Sequence, residues 1–127
     1  FCAAPSHLVD TLNIRGATLW AMTQAVLSLP TRPDIALIDG RDVPPGLPCP
    51  GRYVIGGDAQ SLSIAAASII AKVVRDRMCA IMDCGYPDFG FARHKGYGTA
   101  VHIAALESLG PSEVHRHSFA PVMAARR

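Results

Sequence analysis

Two short runs constrain this chain more than any other feature: Ile35-Ala36-Leu37-Ile38, ending in Asp39-Gly40, and Tyr53-Val54-Ile55, ending in Gly56-Gly57-Asp58. Each is unbroken rather than alternating, the pattern of a strand buried on both faces, as parallel strands of α/β folds are. Between them, residues 40–52 hold Pro44, Pro45, Pro48 and Pro50, which predicts a loop. Helical periods flank the pair. Upstream, Ser6 can cap a turn through Leu12, and Leu19, Met22, Val26 and Leu29 recur at helical spacing until Pro30; Trp20 is expected to help this helix pack. Downstream, Ser61 or Ser63 can cap a helix running to about Asp83. Its first half, residues 64–71, is apolar or small all round and predicts burial on most sides. Residues 85–91 read as turns, and Thr99 can cap a last helix, Ala100–Leu109, closed by Gly110-Pro111.

A length of 127 residues leaves room for one domain; much of the 50% hydrophobic content is Ala, but Leu, Ile, Val and Phe still make up about a quarter of the chain, which clears the composition of a disordered chain. The longest apolar or small stretch, residues 62–71, stops at Lys72. That is well short of the ~20 residues a membrane span needs, so no membrane partner is expected. Phe1-Cys2-Ala3-Ala4-Pro5 shows neither a basic region nor a long apolar run, so no signal peptide is expected, and the absent Met suggests a chain cut from something longer. Cys2, Cys49, Cys79 and Cys84 include no Cys-x-x-Cys pair. Zinc ribbons and thioredoxin-type redox sites are therefore unsupported; reduced thiols in a cytoplasmic protein are expected, with Cys79 and Cys84 as packing residues. The net charge of +2 is uneven: residues 93–127 carry +3 and the preceding 92 carry −1, and four of the five histidines lie in the basic third. A basic end beside an Asp-containing body suits a polyanion held near bound cations, and it equally suits a solvated face.

The chain has no Gly-x-Ser-x-Gly elbow, Walker loop, Gly-x-Gly-x-x-Gly or His-Glu-x-x-His, which argues against serine hydrolases, P-loop enzymes and zincins. What remains is Asp39 and Asp58. An acid at the carboxyl end of a buried strand sits where open α/β sheets place ligands, and two such strands side by side bring two carboxylates to one rim. Hard oxygen donors of this kind suit Mg²⁺ or Mn²⁺, and the chemistry to expect is metal-assisted phosphoryl hydrolysis. The same two residues also suit a helix N-cap and a turn before Gly40, and spacing does not choose. A second candidate is His94-Lys95-Gly96-Tyr97-Gly98-Thr99. Its glycines allow close backbone approach, Lys95 can meet a phosphate, and Tyr97 offers a ring for stacking; a tight turn with a packed Tyr97 is the plainer reading. In His115-Arg116-His117, Arg116 suits a phosphate contact at least as well as either histidine suits a metal, and a solvated turn fits too.

The run 35–40, Gly57-Asp58 followed by residues 63–73 with Arg75-Asp76, Tyr86-Pro87 with Gly90-Phe91, residues 94–99, and His115-Arg116 with Ser118-Phe119-Ala120-Pro121-Val122 closely resemble bacterial ribonuclease HII, in that family's order. Residues 12–19, Leu-Asn-Ile-Arg-Gly-Ala-Thr-Leu, resemble it too. The resemblance implies an RNase H-like α/β fold, with cleavage of the RNA strand of RNA/DNA hybrids and of ribonucleotides embedded in duplex DNA, using Mg²⁺ or Mn²⁺. By motif, Asp39 resembles the third acidic metal-site residue, Asp58 the fourth, and Tyr97 the tyrosine that stacks on the sugar at the ribonucleotide junction. Lys95 and Arg116 are expected phosphate contacts from charge and position, and a monomer is expected. Gly56 and His117 stand where the family often has a basic residue and an arginine. The family's opening Asp-Glu and Gly-Arg-Gly motif is absent. Residues 1–127 are thus expected to form a partial ribonuclease HII domain lacking N-terminal strands, with weak metal binding and little or no cleavage. A non-catalytic nucleic-acid binder and a small metal-binding or interaction protein are the alternatives.

Overall fold

The first helix is broken where its sequence supplies an internal cap. In the computed structural model, which describes residues 1–126, α1 (Ser6–Leu27) is interrupted at Asn13, whose φ is 58° and ψ 174°. Asn13 Oδ1 accepts from the Arg15 N–H at 2.9 Å and the Gly16 N–H at 3.1 Å, so two open donors at the start of the second segment are satisfied. Asparagine occupies positive φ more readily than most residues. The expected Ser6 cap is absent; its hydroxyl donates instead to the Glu113 carbonyl at 3.2 Å. Trp20, expected in the packing, is 36% exposed.

β1 (Ala36–Asp39) and β2 (Gly51–Val54) pair in parallel, Ala36 opposite Gly51 and Asp39 opposite Val54. Parallel neighbours need a long crossover, usually a helix. Here the proline-rich loop makes it, ending two residues before the expected 52 because Gly51 and Arg52 already pair with β1, and it is held where Thr23 Oγ1 donates to the Pro45 carbonyl at 2.9 Å. Burial on both faces is not what the strands show. Ala36 and Ile38 are buried with Cys49 against Met22, Val26 and Leu47, whereas Leu37 is 39% and Tyr53 54% exposed. One face of β1 packs on α1, and no layer among the described residues covers the other.

After a 3-10 turn at Gly57–Ala59, α2 (Leu62–Gly85) follows close to its predicted bounds. It is far less buried than its composition predicts: Ile64 and Cys79 are buried, while Leu62, Ile69 and Ile81 stand exposed. A two-stranded sheet is too narrow to cover a helix that is apolar all round. The turns of residues 85–91 resolve into a 3-10 turn at Pro87–Phe89 and the start of a short helix, α3 (Phe91–His94). α4 (Ala100–Leu109) is capped by Thr99, whose Oγ1 accepts from the His102 N–H at 3.3 Å, and ends at Gly110 as predicted. α5 (Ala120–Ala124) closes the fold and was not anticipated.

The chain packs as two compact units, one of Phe1–Ala4 with Leu12–Ala71, the other of Pro5–Thr11 with the residues from Lys72 on. The first is built on the strand pair, while the second centres on Cys79, Phe89, Phe91, Leu106, Val122 and Ala125. All four cysteines are free; Cys49 and Cys79 are buried, whereas Cys84 is exposed rather than packed. Among the described residues, no helix is long and apolar enough to cross a membrane.

Gly57 sets the approach of β2 to α2. A Cβ there would lie 2.6 Å from Ile64 Cδ1 and 3.3 Å from Val54 Cβ. Gly57→Ala is therefore expected to destabilise the first unit by about 1–3 kcal/mol through overpacking, and adding Ile64→Val, which deletes Cδ1, to recover part of the loss. Urea unfolding followed by Trp20 fluorescence measures both; equal stability of Gly57→Ala and wild type would show that the neighbours yield freely.

Candidate functional site

In the first unit, β1 ends in Asp39, and Asp58 stands in the 3-10 turn that follows β2. The parallel register sets Asp39 opposite Val54, and Asp58 follows four residues further on in the turn. Asp39 Oδ1 accepts the Gly57 N–H at 2.8 Å, so a backbone bond fixes this carboxylate against the residue that precedes Asp58 in the chain. Both side chains are exposed. Their hard oxygens match the donors Mg²⁺ and Mn²⁺ take, which are usually one or two carboxylates with water and phosphate completing the shell. Among the described residues, no group of three or more His, Cys, Asp or Glu could hold a metal. Asp39 also lines an open cleft of about 300 Å³ with Gly40, Arg41, Asp42 and residues of α1. Asp42 is committed elsewhere: Arg15 meets it with two donors at 2.7 and 3.0 Å, and that hydrogen bonding lowers the carboxyl pKa.

In the second unit, the loop after α3 turns at Lys95 and Gly96, with φ 52° and 77°. The Lys95 ammonium donates to the Ala92 carbonyl, closing the helix rather than reaching outward. Tyr97 is 63% exposed and is held by Arg75 of α2. Arg75 Nη1 donates to Tyr97 Oη at 3.1 Å, Nη2 donates to the Lys95 carbonyl at 2.7 Å, and the guanidinium carbon lies 4.5 Å from the ring centroid. Arg116 lies 5.2 Å from the centroid of Phe119. Its residue is exposed, yet desolvation where it packs, then repulsion by Arg75, lowers its pKa, and a guanidinium stays charged regardless. Asp10 anchors the turn after Arg116, accepting from the His117 N–H at 3.0 Å and the Ser118 N–H at 2.7 Å. Desolvation pushes the Asp10 pKa up, but these bonds outweigh it and the pKa is lowered.

Behind the loop lies a group that the sequence reading missed. His94, His102 and His115 are all buried; His94 and His102 stack at 4.2 Å, and His102 Nε2 lies 3.1 Å from His115 Nε2. A lone imidazole inside the apolar run of α4 was the available signal. Arg75 was visible as part of a family motif and Asp10 only as a polar residue, and neither carried an assigned contact.

The family model described as Ribonuclease HII matches residues 3–122, and the chain belongs to that family. Its mixed helices and small parallel sheet are those of an RNase H-like domain. A ribonuclease HII of Parvibaculum lavamentivorans is 58% identical over 114 residues, 90% of this chain and 42% of that protein. One from Rhizobium leguminosarum bv. trifolii is 55% identical over 120 residues, 94% of this chain and 52% of its own length. Another, from Chromobacterium violaceum, is 50% identical over 126 residues, 98% of this chain and 64% of its own length. The chain thus spans about half the length of the curated relatives it matches.

Burial, then repulsion from His102, lowers the His115 pKa from 6.5 to about 4. The folded form holds this imidazole neutral, whereas an unfolded chain takes up its proton near 6.5. The contribution to stability is therefore complete above pH 6.5 and is lost as pH falls toward about 4. The loss is on the order of 3 kcal/mol. Urea unfolding monitored by tyrosine near-UV circular dichroism should show it, and His115→Gln should flatten that part of the pH profile. A variant profile as steep as wild type would place the acid sensitivity elsewhere.

Proposed function

We propose that this chain is part of an endoribonuclease that cleaves the RNA strand of RNA/DNA hybrids and ribonucleotides embedded in duplex DNA. Asp39 and Asp58 are two of its metal-binding carboxylates. The observation that supports the reading is the bond that ties the Asp39 carboxylate to the N–H of Gly57, the residue before Asp58, in a chain of this family. Mg²⁺ or Mn²⁺, when bound, supplies charge stabilisation at the phosphate and a more acidic water. Asp39 and Asp58 would hold it, with Asp39 kept in place by Gly57. Tyr97, exposed and held by Arg75, stacks on the sugar at the ribonucleotide junction. Arg116 contacts a phosphate directly, while Lys95 must first give up its bond to the Ala92 carbonyl. The exposed apolar sides of β1, β2 and α2, with the greater length of the relatives, support further N-terminal strands in the active protein, a cytoplasmic monomer.

A second reading, nucleic-acid binding without catalysis, is favoured for this polypeptide by itself because the described residues hold no group of three or more metal donors. Incubated with Mn²⁺ and a duplex carrying one ribonucleotide, the 127-residue chain is expected to cleave little or nothing. Robust cleavage abolished by Asp39→Asn would establish that two carboxylates suffice. Binding to an RNA/DNA hybrid should weaken by roughly 1–3 kcal/mol in Tyr97→Ala. Arg116→Gln should reduce the salt dependence of binding by about one phosphate contact. Affinity indifferent to both substitutions would remove this loop from the interface.

A further inference from the structure

The hydrogen-bond partners of the three buried histidines leave one consistent arrangement of their protons. The Ser112 N–H must donate, and it points at His115 Nδ1 at 3.1 Å; the Ser112 hydroxyl lies 2.8 Å from the same nitrogen. His115 Nδ1 is therefore the acceptor, and the proton of the neutral ring is on Nε2. That Nε2–H faces His102 Nε2 at 3.1 Å, which makes the latter an acceptor and puts the His102 proton on Nδ1. His102 Nδ1 in turn donates to the Tyr97 carbonyl at 2.9 Å. His94 follows the same rule: its Nδ1 accepts the Gly96 N–H at 3.2 Å, so its Nε2–H donates to the Phe89 carbonyl at 2.6 Å. Phe91 packs edge-on against His94 and His102, and Phe89 lies against His115, which keeps water from competing for these bonds.

We propose that His102 and His115 are positioning residues, a directed chain of two neutral imidazoles that runs from Ser112 to the Tyr97 carbonyl and holds the Tyr97 ring in its presenting position. The Tyr97 carbonyl accepts from His102 and from the Thr99 N–H at 2.8 Å, while Arg75 holds the Lys95 carbonyl and the tyrosine hydroxyl. The ring thus has its backbone pinned from the core side and its hydroxyl from α2. Apolar packing could fill the same volume, but it could not supply a donor to a carbonyl turned inward. The functional consequence rests on the reading of Tyr97 as the stacking residue; the geometric one does not.

Three measurements on the whole chain test this. Nitrogen-15 correlation spectra of the imidazoles at pH 7 are expected to show single tautomers, Nε2–H at His115 and His94 and Nδ1–H at His102. Nδ1–H at His115 or Nε2–H at His102 overturns the proposal, and this needs no variant to fold. Next, His102→Leu removes the donor, while His102→Asn keeps one near the Nδ1 position. Losing one such bond is worth about tenfold. Exchange of the loop amides of Gly96 and Thr99 should therefore speed by roughly that factor in His102→Leu and return close to wild type in His102→Asn, with the Leu106 amide unchanged. Unchanged loop exchange in a folded His102→Leu overturns it. With an RNA/DNA hybrid as probe, His102→Leu should bind about tenfold more weakly than His102→Asn and add nothing to Tyr97→Ala. Equal affinity of His102→Leu and wild type counts against the role in presentation. If wild type ignores the hybrid, the proposed function falls, and the tautomers and exchange rates still decide the positioning.

Discussion

The acidic rim depends on one short hydrogen bond, from the Gly57 N–H to Asp39 Oδ1. It crosses from the residue that ends β1 to the residue that starts the turn after β2, so it locks the two strand ends together where parallel pairing stops. Gly57 is suited to it for a second reason: with no Cβ, it lets β2 and α2 close on Val54 and Ile64. Packing and site geometry thus converge on one residue. A larger side chain there would disturb the carboxylate through the backbone before it touched any ligand.

The second unit solves a different problem, that of keeping an exposed aromatic ring still. A loop with two consecutive positive-φ residues, Lys95 and Gly96, has little regular structure to hold it. Its carbonyls are instead satisfied by side chains from outside the loop, Arg75 at residue 95 and His102 at residue 97. Imidazole suits the buried position because one ring can accept on one nitrogen while donating from the other, so the order of donors can be relayed through a cluster packed against Phe89 and Phe91. The cost is sensitivity to acid, since protonating either ring places a donor opposite a donor.

Several parts of this arrangement were legible in the residues. The strands, the proline loop and helices α2 and α4 follow from local patterning, and the Thr99 cap and Gly110 stop follow from cap chemistry. Asp39 and Asp58 stand out as candidates because an acid just past a buried-looking strand has a defined place in parallel sheets. Asn13, Arg75 and Asp10 were not found, because their roles are hydrogen bonds to residues that the sequence does not bring near. Asn13 is the partial exception: its partners are two and three residues on, and an Asn inside a helical period is a readable break.

The sequence by itself determined the family and the order of the two strands with the helices α1, α2 and α4. Each depends on residues within a few positions of one another, or on a motif carried whole. It misjudged burial, since an unbroken apolar run reports affinity for a core and not the area available to cover it; Leu37, Tyr53 and most of α2 remain exposed. Only the tertiary structure decided where the histidine protons lie. That assignment turns on Ser112, His115, His102 and Tyr97 meeting across separate elements, and on each backbone donor or acceptor leaving the next ring a single choice.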